Sequence, residues 1–247
     1  MSGRKSNKAK LAEGRCRGIG AEYVPFYKSN EGGGRATCSM IPNPIEGRMV
    51  HCLSDTESML YYLLRWDTRV VHIREQFLLD NDVVNIARTE LGYCKVPPIT
   101  CFTTDFLVDY EDGSQRAFSV KFKDAEFDPS SRVYQGRQYA YQRLIERQNT
   151  ERKYWELLNI PFVIVTRDIL LTRRIFIKNV AFIMKFWDEQ SVVNEDQMIL
   201  YLMAHHVYEA PLEDEFINPK KLTKEAGFDV KLMFEQTAAM RGRLLLT

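Results

Sequence analysis

The residues with the clearest chemical potential are a carboxylate and a lysine in neighbouring segments. Asp105 lies in an alternating run, 103–110, and Lys121 lies in a second run, 117–123, with a Glu111-Asp112-Gly113 turn between the runs. An Asp-Gly pair between two alternating runs favours a β-hairpin, and pairing of its strands would bring Asp105 close to Lys121. Such a pair could hold a divalent metal ion and polarise a water. The alternative is an ordinary antiparallel hairpin with a solvated polar face.

A second carboxylate, Glu57, opens a helix predicted over Ser54 to Asp67. Ser54 and Glu57 have the spacing of a capping box, in which each side chain hydrogen-bonds the backbone of the other residue. An apolar stripe of leucines follows, as expected for a helix that packs on a core. The local pattern favours capping as the role of Glu57, and leaves a role in a site open.

The remaining pattern predicts an α/β fold in which helices flank a mixed sheet. Beyond the hairpin, the predicted strands are Val70 to Phe77 and Phe162 to Thr166, and the long predicted helix is Arg132 to Leu158. The order helix, strand, hairpin, helix, strand is typical of such a fold. The segment Val83 to Leu91 is left unassigned.

Composition indicates a soluble globular protein rather than a membrane protein. The 247 residues are 45% hydrophobic and 27% charged, and no apolar run approaches the roughly 20 residues that span a bilayer. The five cysteines form no Cys-x-x-Cys pair. An odd number of cysteines without that spacing favours reduced thiols, and therefore a cytoplasmic protein.

Charge is segregated along the chain although the net charge is only +1. Residues 1–48 hold nine Lys/Arg against four Glu, and 132–153 hold six against two, whereas 188–215 hold eight acids and no Lys or Arg. Basic segments of this kind suit contact with a phosphate backbone, although solvated surface alone can also produce them. The predicted DNA-binding residues are Arg15, Arg35, Arg48, Arg137, Arg143 and Arg147.

These patterns predict three parts of the chain. Residues 1–48 are a basic, partly extended arm whose first 20 residues are expected to be disordered, 49–187 form the α/β domain, and 188–247 form a small helical domain. In the last part, Leu222 to Ala226 and Val230 to Met240 flank a Gly227 turn as in a helix-turn-helix or winged-helix domain.

The ordered set of motifs resembles the TnsA family, the DNA endonuclease subunits of heteromeric bacterial cut-and-paste transposons. The likeness covers most of residues 11–187. The motifs that carry it are Glu13-Gly14-Arg15, Tyr23-Val24-Pro25, His51 to Glu57, Ile73 to Phe77, Thr104 to Asp109, Asp112-Gly113, Val120-Lys121, Glu151 to Trp155 and Ile160-Pro161. The resemblance implies a PD-(D/E)xK restriction-endonuclease-like fold with a small C-terminal winged-helix-like domain.

The resemblance also implies a role for each candidate residue. Glu57 and Lys121 correspond to catalytic residues, and Asp105 to the metal-binding aspartate. Mg²⁺, with Mn²⁺ as a possible substitute, would be held by Glu57, Asp105, the Val120 carbonyl and Ser119. Magnesium prefers oxygen ligands of this kind and keeps some of its waters.

Ser119 departs from the family pattern, which has Glu or Gln two residues before the lysine. A hydroxyl is a shorter, neutral and poorer ligand. Three explanations stay open: cleavage that is weakened but real, a nearby carboxylate such as Asp124 or Glu126 that substitutes, or a substitution introduced to inactivate the enzyme.

The implied function is Mg²⁺-dependent cleavage of the 5′ ends of a transposon. The implied partners are transposon-end DNA, the DDE-type transposase TnsB and the AAA+ ATPase regulator TnsC, with no membrane. One alternative is a non-catalytic DNA-binding and scaffolding subunit whose chemistry is weakened or lost through Ser119. Another is a restriction-type nuclease that acts alone.

Overall fold

The computed structural model describes residues 5–31, 37–131 and 137–244. The chain divides into two compact units, Met1–Thr172 and Arg173–Thr247. This division differs from the predicted one in two ways: the N-terminal 48 residues belong to the first unit, and residues 173–187 belong to the second. In the described residues, no helix combines the length and the apolar character needed to cross a bilayer.

The first unit is built on a four-stranded mixed sheet. Its strands lie in the order β3-β4-β5-β6, with β3, β4 and β5 antiparallel and β6 parallel to β5. Their bounds are β3 Val70–Leu78, β4 Thr103–Tyr110, β5 Gln115–Lys121 and β6 Phe162–Thr166. The predicted mixed sheet is confirmed.

Strands β4 and β5 form the predicted hairpin. Phe106 pairs with Phe118 and Leu107 with Ala117, and Gly113 in the turn has a φ of 79°, which only glycine adopts without strain. The expectation of a solvated polar face is wrong at Ser119, which is 1% exposed.

Helix α2, Asp55–Trp66, begins as the sequence predicts. The Ser54 hydroxyl accepts a hydrogen bond from the Glu57 N–H at 3.1 Å, and the Glu57 carboxylate accepts one from the Leu53 N–H at 2.8 Å. Leu60 and Leu64 are buried. The helix therefore starts at a fixed point, which fixes where the Glu57 carboxylate lies.

Helices α3 and α4 cover the sheet around one apolar cluster. Helix α3, Asn81–Glu90, occupies the segment that the sequence left unassigned, and the Asp80 carboxylate caps it. Helix α4, Gln138–Leu157, is shorter than the predicted 132–158, and 132–136 lie outside the described residues. The cluster consists of Leu79, Val84, Leu107, Ala117, Tyr154 and Trp155.

The N-terminal segment is ordered, so the expectation of disorder over the first 20 residues is wrong for the described ones. Asn7–Ala12 forms helix α1, and Lys10 and Arg15 are buried. The Lys10 amine lies 4.2 Å from the centroid of the Tyr27 ring. A two-stranded sheet follows, formed by β1, Ser39–Asn43, and β2, Arg48–Cys52.

The second unit is helical in its described part. Its main helix, α7, is buried along most of its length and is shorter than the predicted 195–209. No strand occurs in the part of residues 173–244 that the structure describes, so the winged-helix detail stays a prediction. After the short α5, Arg167–Leu171, which ends the first unit, the helices are α6 Arg174–Ile183, α7 Glu195–Ala204, α8 Pro219–Glu225 and α9 Val230–Leu244.

Candidate active site

The structure brings Glu57 and Asp105 together at one end of the sheet. Both carboxylates contact the same side-chain nitrogen: Gln76 Nε2 lies 3.3 Å from Glu57 Oε2 and 3.3 Å from Asp105 Oδ1. The two oxygens are therefore within twice that distance of each other. The N-terminus of α2 positions one carboxylate and strand β4 positions the other.

Strand β5 supplies the other predicted residues. The Val120 N–H donates to Asp105 Oδ2 at 2.6 Å, so the hairpin pairing fixes the orientation of Asp105. The Lys121 amine donates to the Ser119 hydroxyl at 2.9 Å and to the Val120 carbonyl at 3.0 Å. Lys121 therefore hydrogen-bonds to two of the expected metal ligands, the Ser119 hydroxyl and the Val120 carbonyl, rather than to the carboxylates.

Burial makes the Glu57 carboxyl group unusually basic. Loss of solvation, and then the negative charge of Asp105, raise the pKa of Glu57 to about 7, since both effects favour the uncharged form. Hydrogen bonds from Leu53, Ser54 and Gln76 act in the opposite direction. A cation bound beside Glu57 would favour its ionised form.

Glu151, on α4, is a second buried carboxyl group beside Asp105. It is 2% exposed and accepts a hydrogen bond from the Thr104 hydroxyl. Burial, followed by the charge of Asp105, raises the pKa of Glu151 to about 7, and the nearby positive charge of Lys121 partly opposes this. The charge of Asp105 thus acts on both Glu57 and Glu151, and Lys121 is a nearby positive charge.

Sequence reasoning assigned no role to Gln76 or Glu151. Gln76 lies in a strand that mixes polar and apolar residues, and a strand pattern does not reveal a side chain that bridges two acids. For Glu151 a signal was available: Gln148, Glu151 and Trp155 recur at three- and four-residue spacing, which places the acid on the buried face of α4.

The donor set fits a magnesium ion. Two carboxylates, the Val120 carbonyl and the Ser119 hydroxyl are all hard oxygen ligands, which Mg²⁺ prefers. In the described part of the chain, no three His, Cys, Asp or Glu side chains cluster closely enough to form a metal site. The two carboxylates match the one or two that Mg²⁺ uses together with retained waters.

Of the two carboxylates suggested as substitutes for a ligand at position 119, Glu126 is engaged with the backbone. Glu126 Oε1 accepts hydrogen bonds from the backbone N–H of Phe122 at 3.0 Å and of Lys123 at 3.1 Å. The Asp124 side chain is exposed, and its backbone N–H donates to Asp168. The substitution by a nearby carboxylate is therefore not supported for Glu126 and stays a prediction for Asp124.

Two of the arginines predicted to bind DNA are buried in ion pairs, and this prediction is wrong for them. The Arg15 side chain is 1% exposed and pairs with Glu31 and Glu13. The Arg48 guanidinium is 2.8 Å from Glu46 and 2.9 Å from Glu75. Both arginines anchor the N-terminal segment, because charges removed from water need such partners.

The other predicted arginines lie on or beside α4. Arg137, Arg143 and Arg147 are exposed, and Arg35 lies outside the described residues. Arg143 and Arg147 line a cavity of about 280 Å³ with Arg88, Thr100, Cys101 and Phe102. Phe102 is three residues before Asp105, so this basic cavity is on the order of 10 Å from the carboxylates.

Part of the chain is similar to known proteins. Residues 67–167 match the family described as TnsA-like endonuclease N terminal, and this range contains Asp105, Lys121 and Glu151 but not Glu57. The chain is 33% identical over 162 residues to the transposon Tn7 transposition protein TnsA of Escherichia coli, a match that covers 64% of this chain. The chain spans about half (55%) of the length of that relative. With its restriction-endonuclease-like mixed sheet, the chain is therefore similar to the TnsA-like endonucleases over residues 67–167.

Proposed function

We propose that this chain is the endonuclease subunit of a heteromeric transposase and hydrolyses the phosphodiester at the 5′ ends of a transposon with Mg²⁺. One observation carries the proposal: Glu57 and Asp105, 48 positions apart in the chain, converge on one side-chain nitrogen. A buried and a half-buried acid held this close, with a lysine on the adjoining strand, suit a cation site better than a structural core.

Each residue then has a chemical role. Glu57, Asp105, the Val120 carbonyl and the Ser119 hydroxyl would hold Mg²⁺. When bound, the ion supplies a water of lowered pKa and neutralises charge on the scissile phosphate. Lys121 would leave the Ser119 hydroxyl and donate to the attacking water or to a phosphate oxygen, where negative charge grows in the transition state.

The partners follow from the likeness to a Tn7 transposition protein and from charge. We propose transposon-end DNA, a DDE-type transposase of the TnsB kind and an AAA+ ATPase of the TnsC kind. The exposed arginines of α4 suit DNA. The acidic stretch from Asp188 to Glu215, with eight acids and no Lys or Arg, suits a protein surface and would repel DNA.

The test is strand cutting by the complete assembly. The chain, its transposase and its ATPase are incubated with transposon-end DNA and Mg²⁺, and nicking of the 5′ strand is measured on a sequencing gel. We expect Asp105→Ala to lower the nicking rate at least about 100-fold, since loss of even an outer-shell partner can cost that much. Asp112→Ala removes the same charge from the exposed turn of the same hairpin and should cut normally. Equal nicking by both variants would contradict the proposal.

A second candidate, a scaffolding subunit without chemistry, is favoured by one observation at Ser119. Its hydroxyl is buried and accepts a hydrogen bond from the Lys121 amine, so it is a poor metal ligand as it stands. A Ser119→Gln arm in the same assay separates the candidates. Nicking by both proteins, faster for the variant, supports the endonuclease, whereas DNA binding without nicking by either supports the scaffold.

A further inference from the structure

The side-chain amide of Gln76 lies between the two carboxylates of the proposed site. Its Nε2 is 3.3 Å from Glu57 Oε2 and 3.3 Å from Asp105 Oδ1, and the residue is 3% exposed. The amide nitrogen carries two N–H donors, and it donates to one oxygen of each acid. One neutral group thereby serves both acids.

The backbone of Gln76 is strained in the conformation that places this amide. Its φ is +48°, a left-handed conformation that is unfavourable for residues with a Cβ atom. The neighbours Glu75 and Phe77 pair normally with Phe106 and Thr104 on β4, while the Gln76 carbonyl accepts a hydrogen bond from the Phe26 N–H. Glycine would relieve this strain, so what the position offers is its side chain.

We propose that Gln76 is a positioning residue whose amide holds Glu57 and Asp105 at the spacing that a single divalent cation requires. The inference rests on the proposed metal-dependent function and adds a residue to it. Two carboxylates repel each other, and a shared neutral donor offsets part of that repulsion without adding a charge that would compete with the cation.

Removal of the amide has a measurable consequence. Without the shared donor, the repulsion between Glu57 and Asp105 is no longer offset, and their two oxygens are no longer each held 3.3 Å from one common nitrogen. Metal affinity should therefore fall.

An opposite role would give the opposite result. If the amide merely occupied the place of the cation, its removal would open the site and tighten metal binding. The sign of the change in metal affinity therefore decides between a residue that positions the acids and one that blocks them.

The experiment measures Mn²⁺ binding to the full chain by calorimetry at pH 7.5. For Gln76→Leu we expect binding roughly three- to tenfold weaker, because the repulsion between the two carboxylates is no longer offset. Gln76→Gly should behave in the same way, because it lacks the amide but tolerates the backbone.

Gln148→Leu is the matched control. Gln148 is also buried, at 3% exposure, and its amide atoms have no hydrogen-bond partner among the described residues, so its replacement should leave Mn²⁺ affinity unchanged. Unchanged or tighter binding by folded Gln76→Leu and Gln76→Gly would overturn the positioning role. Failure of the unaltered chain to bind Mn²⁺ would instead overturn the proposed metal site itself.

Discussion

Glu151 links the chemistry of the site to the stability of the first unit. Its pKa of about 7 in the folded state is raised above the model-peptide value for Glu, near 4.3. The folded protein therefore binds more protons at this residue than the unfolded chain does, and its contribution to stability is lost as pH rises through 7. The hydrogen bond from Thr104 and the positive charges of Lys121 and Arg147 favour the ionised form and partly oppose the rise in pKa.

The substitution Glu151→Gln keeps the shape of the side chain and removes its charge. Above pH 8 we expect the variant to be more stable than the unaltered protein, by a free energy of unfolding on the order of 2–3 kcal/mol, because the cost of a buried carboxylate is removed. At pH 4.5 the two proteins should be nearly equal. Urea unfolding at both pH values measures this. A variant that is less stable at pH 8.5 would show that the ionised Glu151 is stabilising.

At the same scale, the sequence could predict the residues of the site but not their contacts. The spacing around Glu57 predicts its position at a helix cap, and the hairpin places Asp105 beside β5. Gln76 could not be predicted, because its role depends on a left-handed backbone in the middle of a strand. The resting position of Lys121 on Ser119 depends on side-chain torsions that alternation does not determine.

At the scale of elements, the sequence predicted helix and strand ends correctly where they depend on residues close in the chain. The Ser54 cap and the Gly113 turn are of this kind, and both elements begin and end close to the predicted residues. The prediction for the N-terminal segment was wrong because ion pairs with partners distant in the sequence hold it in place: Arg15 pairs with Glu31, and Arg48 pairs with Glu75 on β3. The local excess of Lys and Arg predicted a free basic surface, but these two arginines are buried.

We expect the exposed face of α4 to contact DNA. In the described residues, neither Arg143 nor Arg147 has a carboxylate partner within 4 Å. We expect the double substitution of both to alanine to reduce the slope of log K against log salt by about 2 for duplex DNA, since each phosphate contact contributes about 0.9. Fluorescence anisotropy from 50 to 300 mM salt measures the slope.

The control for this prediction is Arg116→Ala, which removes an exposed arginine near the start of β5, at the end of the strand away from Lys121. Its slope should stay at the value of the unaltered protein. An unchanged slope in the double variant would mean that the phosphates bind elsewhere, and α4 would then have no role in DNA contact.

At the scale of the whole molecule, the boundary between the two units lies after Thr172 rather than after residue 187 as the sequence predicted. A fragment that lacks the second unit should therefore end at Thr172. Helix α6 belongs to the second unit because Asn179 holds the later chain: its side-chain amide donates to the carbonyls of Leu212 and Glu215 at 2.8 Å and accepts from the Ile217 N–H at 3.1 Å. A fragment ending at residue 187 would keep α6 and lose these contacts, whereas one ending at Thr172 keeps the first unit intact.

We therefore expect the fragment 1–172 to unfold cooperatively and to bind Mn²⁺ as tightly as the full chain, because Glu57, Asp105 and Lys121 all lie within it. The fragment 1–187 should be less stable and more prone to aggregate, since Phe176 and Val180, buried in the full chain, would lose the elements they pack on.

If the acidic stretch of the second unit binds the protein partners, 1–172 should also fail to retain the transposase and the ATPase in a pull-down. Retention of both partners by 1–172 would place their binding surface on the first unit.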